Sequence, residues 1–519
     1  MLSAVLAAAS AGCGKKQSVN TEVNLEGDIP ENLTIFCNLG SNVSKAGGTS
    51  YNDVLTFQLL EEKTGCHVEW IHPAGNALNE RFNTMIASGE YPDAIVYNWS
   101  GVNGGIESFV EDGVIYDLTP YIETCMPNFS KLLEEHPEIK KDVMTDDGRI
   151  LTIPYVRLDK ELCVYQGPLV RRDWLDKLGL EEPTTPAELK TVLKAFRDKD
   201  ANGNGKPDET LGGIGFDNAQ GIGCLLWAFG TTWDFHLKDG KVVYGPVTKE
   251  FRDGVEYIAD LYKEGLIDPD YLIDEKAKYD AKFTDNKFGY GFGFQPTRYS
   301  EIMNDGTRKV DGAKYLKAAD GVNYCYNNFY KMQVTTGACL AVTSANKNVA
   351  GTLKWLDELY GEEGIAFGNY GKEGLTYKMV DGEPVFTDYI TANKDGKGLS
   401  DMVSLTCAVR DSGFPMIQTW PFYKQTLSDW GVEAIENWVD DNPNIDNILP
   451  TVSRTQEESE DYGRIMNPIK TYMLEQVNKV IMGTASMADW DNAVKQMEKM
   501  DIESAVKIQQ AAYDRYVKR

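Results

Sequence analysis

The chain has 519 residues, enough for two or more lobes rather than one core. Its 79 Asp and Glu against 52 Lys and Arg give a net charge of −27, a field that excludes nucleic acid and anionic membrane surfaces as partners. A hydrophobic content of 42% excludes a disordered chain.

Small apolar residues run from Met1 into Ala11, Gly12 and Cys13. This stretch resembles a bacterial lipoprotein signal with Cys13 as the lipidated residue, although it has no basic leader and Ser10 stands where leucine is usual. Residues 14–32 are polar and read as a tether. A first strand is predicted over Leu33–Cys37, followed by a polar loop to Tyr51. Next comes a helix capped by Asn52 or Asp53, with Leu55 and Leu59 on one face and Gly65 as its stop. Val68–Ile71 reads as a strand. Leu78, Phe82, Met85 and Ile86 fall at helical spacing before Gly89, and Ala94–Tyr97 is a third strand. Strands alternating with helices predict parallel βαβ units, with ligands beyond the carboxyl ends of the strands. The loops at Asn38 and at Asn98–Trp99 occupy such places.

Residues 147–156, with Pro154 in an extended segment, approach a crossing between lobes. A second α/β region starts near Gln166, with a strand at Leu169–Val170 and a helix carrying Trp174, Leu175 and Leu178 up to Gly179. Helices are predicted over Thr185–Arg197 and Phe251–Gly265, a strand over Val334–Val342, and a helix over Asn348–Tyr360. Trp490, Val494 and Met497 mark a helix near the end. No run is long and apolar enough to span a bilayer. Apart from Cys13, eight cysteines are scattered along the chain, which predicts buried thiols with room for one or two bridges.

Residues 198–209 carry oxygen-bearing side chains at alternate positions and glycines where the backbone must turn, the pattern of a calcium loop. Two registers fit. One opens at Asp198 and runs through Asp200, Asn202 and Gly203 to Glu209. The other uses Asp200, Asn202, Asn204, the Lys206 carbonyl, Asp208 and Glu209, with Gly205 at the turn. Four carboxylates crowded into one short loop repel one another unless a cation neutralises them. A structural calcium ion is therefore expected.

Several stretches in order resemble extracellular solute-binding proteins of ABC importers, in the large calcium-containing group that includes alginate-binding proteins. They are the segments 88–96, 116–121, 172–180, the loop 198–209, 264–270, and Ile481–Gly483 with Trp490 and Tyr513–Tyr516. The resemblance covers about residues 33–519. It implies an α/β fold of the two-lobe periplasmic-binding-protein type, with a ligand cleft between lobes joined by hinge segments. By analogy with maltose-binding proteins, lobe 1 comprises 33–155 plus 335–405, and lobe 2 comprises 156–334 plus 406–519. It implies the Asp200 register for calcium, an oligosaccharide ligand, ABC permease subunits as partners, a monomer, and a lipid anchor at the extracellular face of the membrane.

A sugar presents flat C–H faces and a rim of hydroxyls, which aromatic rings and planar polar side chains match. Tyr97 and Trp99 follow a predicted strand, where maltose-binding relatives touch sugar. Trp233, and less so Trp227, lies in an aromatic stretch of the second lobe. Trp420 and Tyr423 flank a Pro-Phe pair in a place that resembles the stacking region of alginate-binding relatives. Arg298 follows a glycine- and phenylalanine-rich strand and can face a cleft. The four histidines lack metal-ligand spacing, and neither a G-x-S-x-G elbow nor a Walker loop is present. The expectation is a receptor without catalytic residues. A receptor for a peptide or other solute, and a secreted calcium-dependent glycan-cleaving enzyme, remain the alternatives.

Overall fold

The computed structural model describes residues 23–519 except 75–76, 100–101, 103–104, 298, 300–309, 395 and 412. Cys13 and Arg298 therefore lie outside the described residues. In chain order the strands are β1 (Asn32–Phe36), β2 (His67–Ile71), β3 (Ala94–Tyr97), β4 (Ile153–Arg157), β5 (Gln166–Arg171), β6 (Thr210–Leu211) and β7 (Phe235–Lys238). They continue with β8 (Lys241–Tyr244), β9 (Phe288–Phe294), β10 (Val310–Gly312), β11 (Val334–Val342), β12 (Tyr377–Val380), β13 (Glu383–Phe386) and β14 (Ile417–Gln418).

Six of these form a sheet in the order β14-β4-β11-β3-β1-β2. β1 pairs in parallel with both β2 and β3, as the βαβ pattern requires. β11 then runs antiparallel between β3 and β4, placing Leu340 opposite Val96 and Val334 opposite Val156. Its register shifts between Thr335 and Cys339, opposite Pro154, which has no N–H to give to the ladder. The pleat splits the side chains between two faces: Leu33, Ile35, Val96 and Leu340 pack into the larger cluster, the first core, and Phe36, Ile95 and Ala341 into a smaller cluster on the opposite face.

The second sheet has the order β10-β5-β9-β6, and its core also holds the C-terminal helices Gln456–Ile481, Met487–Lys499 and Ile502–Lys518. β9 carries glycine at alternate positions, and these let aromatic rings lie directly on the sheet. A Cβ on Gly289 would sit 2.4 Å from the Phe196 ring and 3.0 Å from the Trp174 ring. The chain leaves the first core after Val156, returns at Val334, and leaves again after Phe422, so three segments connect the two cores. Cys407, Val409, Phe414 and Ile417 pack in the first core.

One local reading changes. The helix predicted to be capped by Asn52 or Asp53 spans Leu55–Thr64 with Val54 at its N-cap, and Thr56, Phe57 and Leu60 are its buried residues in place of Leu55 and Leu59. The reason is that the Asp53 carboxylate accepts the amides of Thr49 and Ser50 (2.7 and 3.1 Å), closing a separate 3-10 turn at Tyr51–Asp53. All eight described cysteines are buried free thiols, with no bridge among them.

Gly289→Ala is expected to destabilise the second core by about 1–3 kcal/mol through overpacking, seen as a lower urea midpoint at unchanged slope.

Candidate functional site

Two adjoining cavities, of about 440 and 470 Å³, lie between the two cores and share Trp99, Ile106, Glu107, Pro450, Thr451 and Ser453. The first is completed by second-core residues that include Trp233, Asp234, His236, Tyr326 and Tyr462. The second is completed by Asp142 and Met144 from the first-core side, by Lys331 and Gln333 on a connecting segment, and by Tyr516 and Arg519 of the C-terminal helix. Together they form a cleft with walls from both halves of the molecule.

Trp99 follows β3 as a wall residue: its indole N–H donates to the Cys339 carbonyl at 3.0 Å, and Phe82 and Phe109 pack edge-on against the ring. Trp233 lines the cleft from the other side, half-buried, and stacks on the buried Trp227 with centroids 6.4 Å apart. Tyr97 lines neither cavity. It stacks on Phe82 at 3.8 Å and donates its hydroxyl to Asn79 at 2.7 Å. Trp420 and Tyr423 also line neither cavity. They stand at the third connection, where the chain leaves the first core for the second time, with the Trp420 amide donating to Asp159 at 2.6 Å. Sequence reasoning did not single out Glu107, Asp234, His236, Lys331 or Arg519, and Tyr516 entered only as part of a stretch that carries the family resemblance. His236 sits on β7 with its ring edge-on to Tyr326 and with Nδ1 buried and without a hydrogen-bond partner. Burial pushes its imidazole down to about 4.

One end of the cleft is fastened across the two cores. The helix Ile502–Lys518 packs in the second core through Ala505, while its last turn meets residues 141–146 beyond the first-core anchor Ile139. Asp146 accepts from Arg515 Nε at 2.9 Å and from Arg519 Nε at 2.8 Å. Arg515 also reaches Glu458 (Nη1–Oε1 2.9 Å), and Arg519 reaches the Ser453 hydroxyl at 2.9 Å. Burial pushes the Asp142 carboxyl up, and the Tyr516 hydroxyl, donating at 2.7 Å, opposes this.

The acidic loop follows the helix Pro186–Asp198, whose N-cap Thr185 accepts the Glu188 amide. Asp198 remains on that helix, paired with Arg197. Asp200 adopts a left-handed conformation (φ 51°), and its two carboxylate oxygens accept the amides of Asn204 and Gly205, both at 2.9 Å. Gly203 and Gly205 also have positive φ, which glycine adopts without strain. Asp208 Oδ1 accepts from the side-chain amides of Asn202 and Asn204 (3.0 and 2.9 Å), and Oδ2 pairs with Lys287. Burial pushes the Asp208 carboxyl up, but the hydrogen bonds from Lys287, Asn204 and Asn202 outweigh it and hold it at about 2. Among the described residues no three His, Cys, Asp or Glu side chains gather as a metal centre by themselves. The donors in this loop are shared with asparagines and a backbone carbonyl, the mixed oxygen set that calcium accepts. One atom tests the fit: Glu209 is 1% exposed, and its Oε2 is buried without a hydrogen-bond partner while Oε1 holds the Asn202 amide at 3.0 Å. A buried carboxylate oxygen facing an acidic loop fits a cation.

Residues 56–370 match the family described as bacterial extracellular solute-binding protein. The chain belongs to this family. It is 29% identical, over 99% of its own length and 98% of the other's, to the fructooligosaccharide ABC transporter substrate-binding protein FusA of Streptococcus pneumoniae serotype 4. The solved structure of S. pneumoniae FusA in complex with kestose superimposes with a TM-score of 0.72 at 26% identity, covering 93% of this chain and 99% of that one. A FusA EF-hand mutant in complex with fructo-nystose has also been solved, at 25% identity and a TM-score of 0.70, with 93% and 99% covered. Two Bacillus subtilis (strain 168) proteins are more distant. Lipoprotein LipO is 27% identical over 65% of this chain and 66% of its own. The polygalacturonan/rhamnogalacturonan-binding protein YtcQ is 24% identical over 84% and 82%. The fold is thus the mixed α/β fold of extracellular solute-binding proteins.

Two outcomes follow from the geometry of the cleft. His236 binds its proton more weakly in the folded protein than in the unfolded chain, where histidine titrates near 6.5. Its contribution is therefore complete above that pH and is lost as pH falls toward about 4, with a slope of up to about 1.4 kcal/mol per pH unit. Urea unfolding across this window is expected to show the slope in the wild type and a flatter one in His236→Gln. Asp146→Ala removes the acceptor shared by Arg515 and Arg519. Small-angle scattering of the ligand-free variant is expected to give a larger radius of gyration than the wild type.

Proposed function

We propose that this protein is an extracellular receptor that captures an oligosaccharide between two lobes and delivers it to an ABC permease. The observation that supports it best is the cleft, where Trp99 stands on one wall, Trp233 on the other, and hydroxyl, amide and carboxylate side chains lie between them. Rings cover sugar faces while planar polar groups take the hydroxyls. The likeness to FusA along nearly the whole chain supports the same substrate class. A ligand that touches both walls favours the closed arrangement, because only differential contact with two states shifts their balance. No bond of the ligand is broken in such a cycle. The lobe limits we propose follow the cores: 33–156 with 334–422, and 164–326 with 434–519. Trp99 and Trp233 are the proposed stacking residues, with Tyr97, Trp420 and Tyr423 in supporting positions behind the cleft wall and at the third connection. We further assign Cys13 as a lipid anchor, in keeping with the lipoprotein name of one relative.

For the acidic loop we propose a structural calcium ion held by Asp200, Asn202, Asn204, the Lys206 carbonyl, Asp208 and Glu209. The buried, unpartnered Glu209 Oε2 supports it, as does the pairing of Asp198 with Arg197, which leaves Asp200 to open the set. The EF-hand of FusA points the same way. The loop adjoins Lys287 at the foot of β9, so the ion would fasten the second lobe.

Calorimetric titration with kestose and other trisaccharides is expected to show binding without product formation. Release of shortened glycans would overturn the receptor reading. Trp233→Ala is expected to lose about 2 kcal/mol, roughly 30-fold in affinity, with the fold intact by circular dichroism. Chelation is expected to lower the melting temperature, since an ion bound only to the folded state stabilises it. Asp200→Ala is expected to abolish that difference, and an unchanged melt after verified metal removal would remove the ion from the account.

A further inference from the structure

We propose that Lys287 is an internal counter-ion of the acidic loop that competes with calcium for Asp208, and so sets how tightly the loop holds the ion. The inference rests on the calcium reading above and deepens it. Every side-chain oxygen of the proposed set but one is held by a protein donor. Asp200 accepts the amides of Asn204 and Gly205, both at 2.9 Å. The side-chain oxygen of Asn202 accepts the Asn204 amide at 2.9 Å, and that of Asn204 accepts the Lys206 amide at 2.8 Å. Asp208 Oδ1 accepts from the side-chain amides of Asn202 and Asn204. Glu209 Oε1 accepts the Asn202 amide at 3.0 Å, and Oε2 is the one without a partner. These donors are neutral N–H groups, which shape the loop and leave its negative charge in place. Among the described residues, one full cation reaches a carboxylate of the set: the Lys287 ammonium, on Asp208 Oδ2.

The backbone around Lys287 accounts for this placement. Asn286 has a left-handed conformation (φ 59°), its carbonyl accepts from the Asn202 side-chain amide at 3.1 Å, and its own Oδ1 accepts from Arg171 at 2.7 Å. The Lys287 carbonyl accepts the Thr210 amide at 2.9 Å, one residue past Glu209, where β6 joins β9 in parallel. The turn at 286–287 thus grips the loop through its backbone at two points, and this anchors the lysine beside Asp208. A second lysine acts differently: Lys177 gives its ammonium to the carbonyls of Asp200 and Ala201 (3.3 and 2.8 Å) and to none of the carboxylates. Lys287 therefore has two effects of opposite sign. In the metal-free protein it offsets the repulsion among Asp200, Asp208 and Glu209, so the loop holds its shape and the metal adds stability without being required for folding. In the loaded protein it is a like charge beside a divalent cation on a shared ligand, and it weakens binding. Calcium affinity in such loops follows the charge of their ligands.

The test is calcium titration of the metal-stripped whole protein against a chromophoric chelator, with melting temperatures taken in excess calcium and in EDTA. Lys287→Met is expected to bind calcium about tenfold more tightly than the wild type. It is also expected to melt lower than the wild type in EDTA, so that the gap between its calcium and EDTA melts widens. The control is Lys199→Met, which removes an exposed lysine that pairs with no carboxylate among the described residues. It is expected to change the affinity less than about threefold, because an exposed charge is screened by solvent and salt. Lys287→Met binding calcium no more tightly than the wild type, a gap that does not widen, or an equal gain in Lys199→Met overturns the inference while the calcium reading stands. Absence of calcium binding to the wild type overturns the calcium reading and the inference with it.

Discussion

The structure turns on one strand. β11, from Val334 to Val342, enters the middle of the first sheet after a long excursion through the second, and runs antiparallel between β3 and β4. Without it, β4 and β14 would have no partner joining them to β3, and the first sheet would break in two. A central strand that arrives so late forces the chain to leave the first core and come back. The connections between the cores therefore follow from a pairing pattern, and the cleft lies where those connections hold the two cores face to face.

Local chemistry then adjusts the surfaces that meet there. Trp99 is positioned by the end of β3 and fixed by the carbonyl of Cys339 on β11, so the same strand that closes the sheet also orients a cleft wall. On the opposite side, Trp233 is backed by Trp227, whose burial belongs to the second core. The C-terminal helix supplies the third element. Its terminal arginines share Asp146 across the gap.

Much of this was legible in the chain. β3 falls on its apolar run, Ala94–Tyr97, because a strand buried on both faces is a continuous hydrophobic segment and needs no distant information. Gly65, Gly89 and Gly179 close their helices in the left-handed conformation, which their missing Cβ permits. Trp99 and Trp233 were visible as aromatics in strand-end and loop settings. Tyr97 had the same signal but stacks on Phe82, and nothing in its neighbours distinguishes a ring facing inward from one facing a ligand. Glu107 and Asp146 gave no signal, since an acidic residue acquires meaning only from what approaches it. In a chain with 79 acidic residues, composition cannot say which ones face a cleft.

The sequence by itself carried the main strands and helices, the α/β class, the family resemblance and the alternation of oxygens in the acidic loop, because each depends on residues close together in the chain: a period, a glycine stop, a spacing. The tertiary structure alone decided that Val334–Val342 sits between β3 and β4, that Glu209 Oε2 is buried without a partner, and that the last turn of the chain pairs with Asp146. Those outcomes depend on contacts between residues up to several hundred positions apart, where pairing, burial and charge compensation are settled jointly by the whole fold.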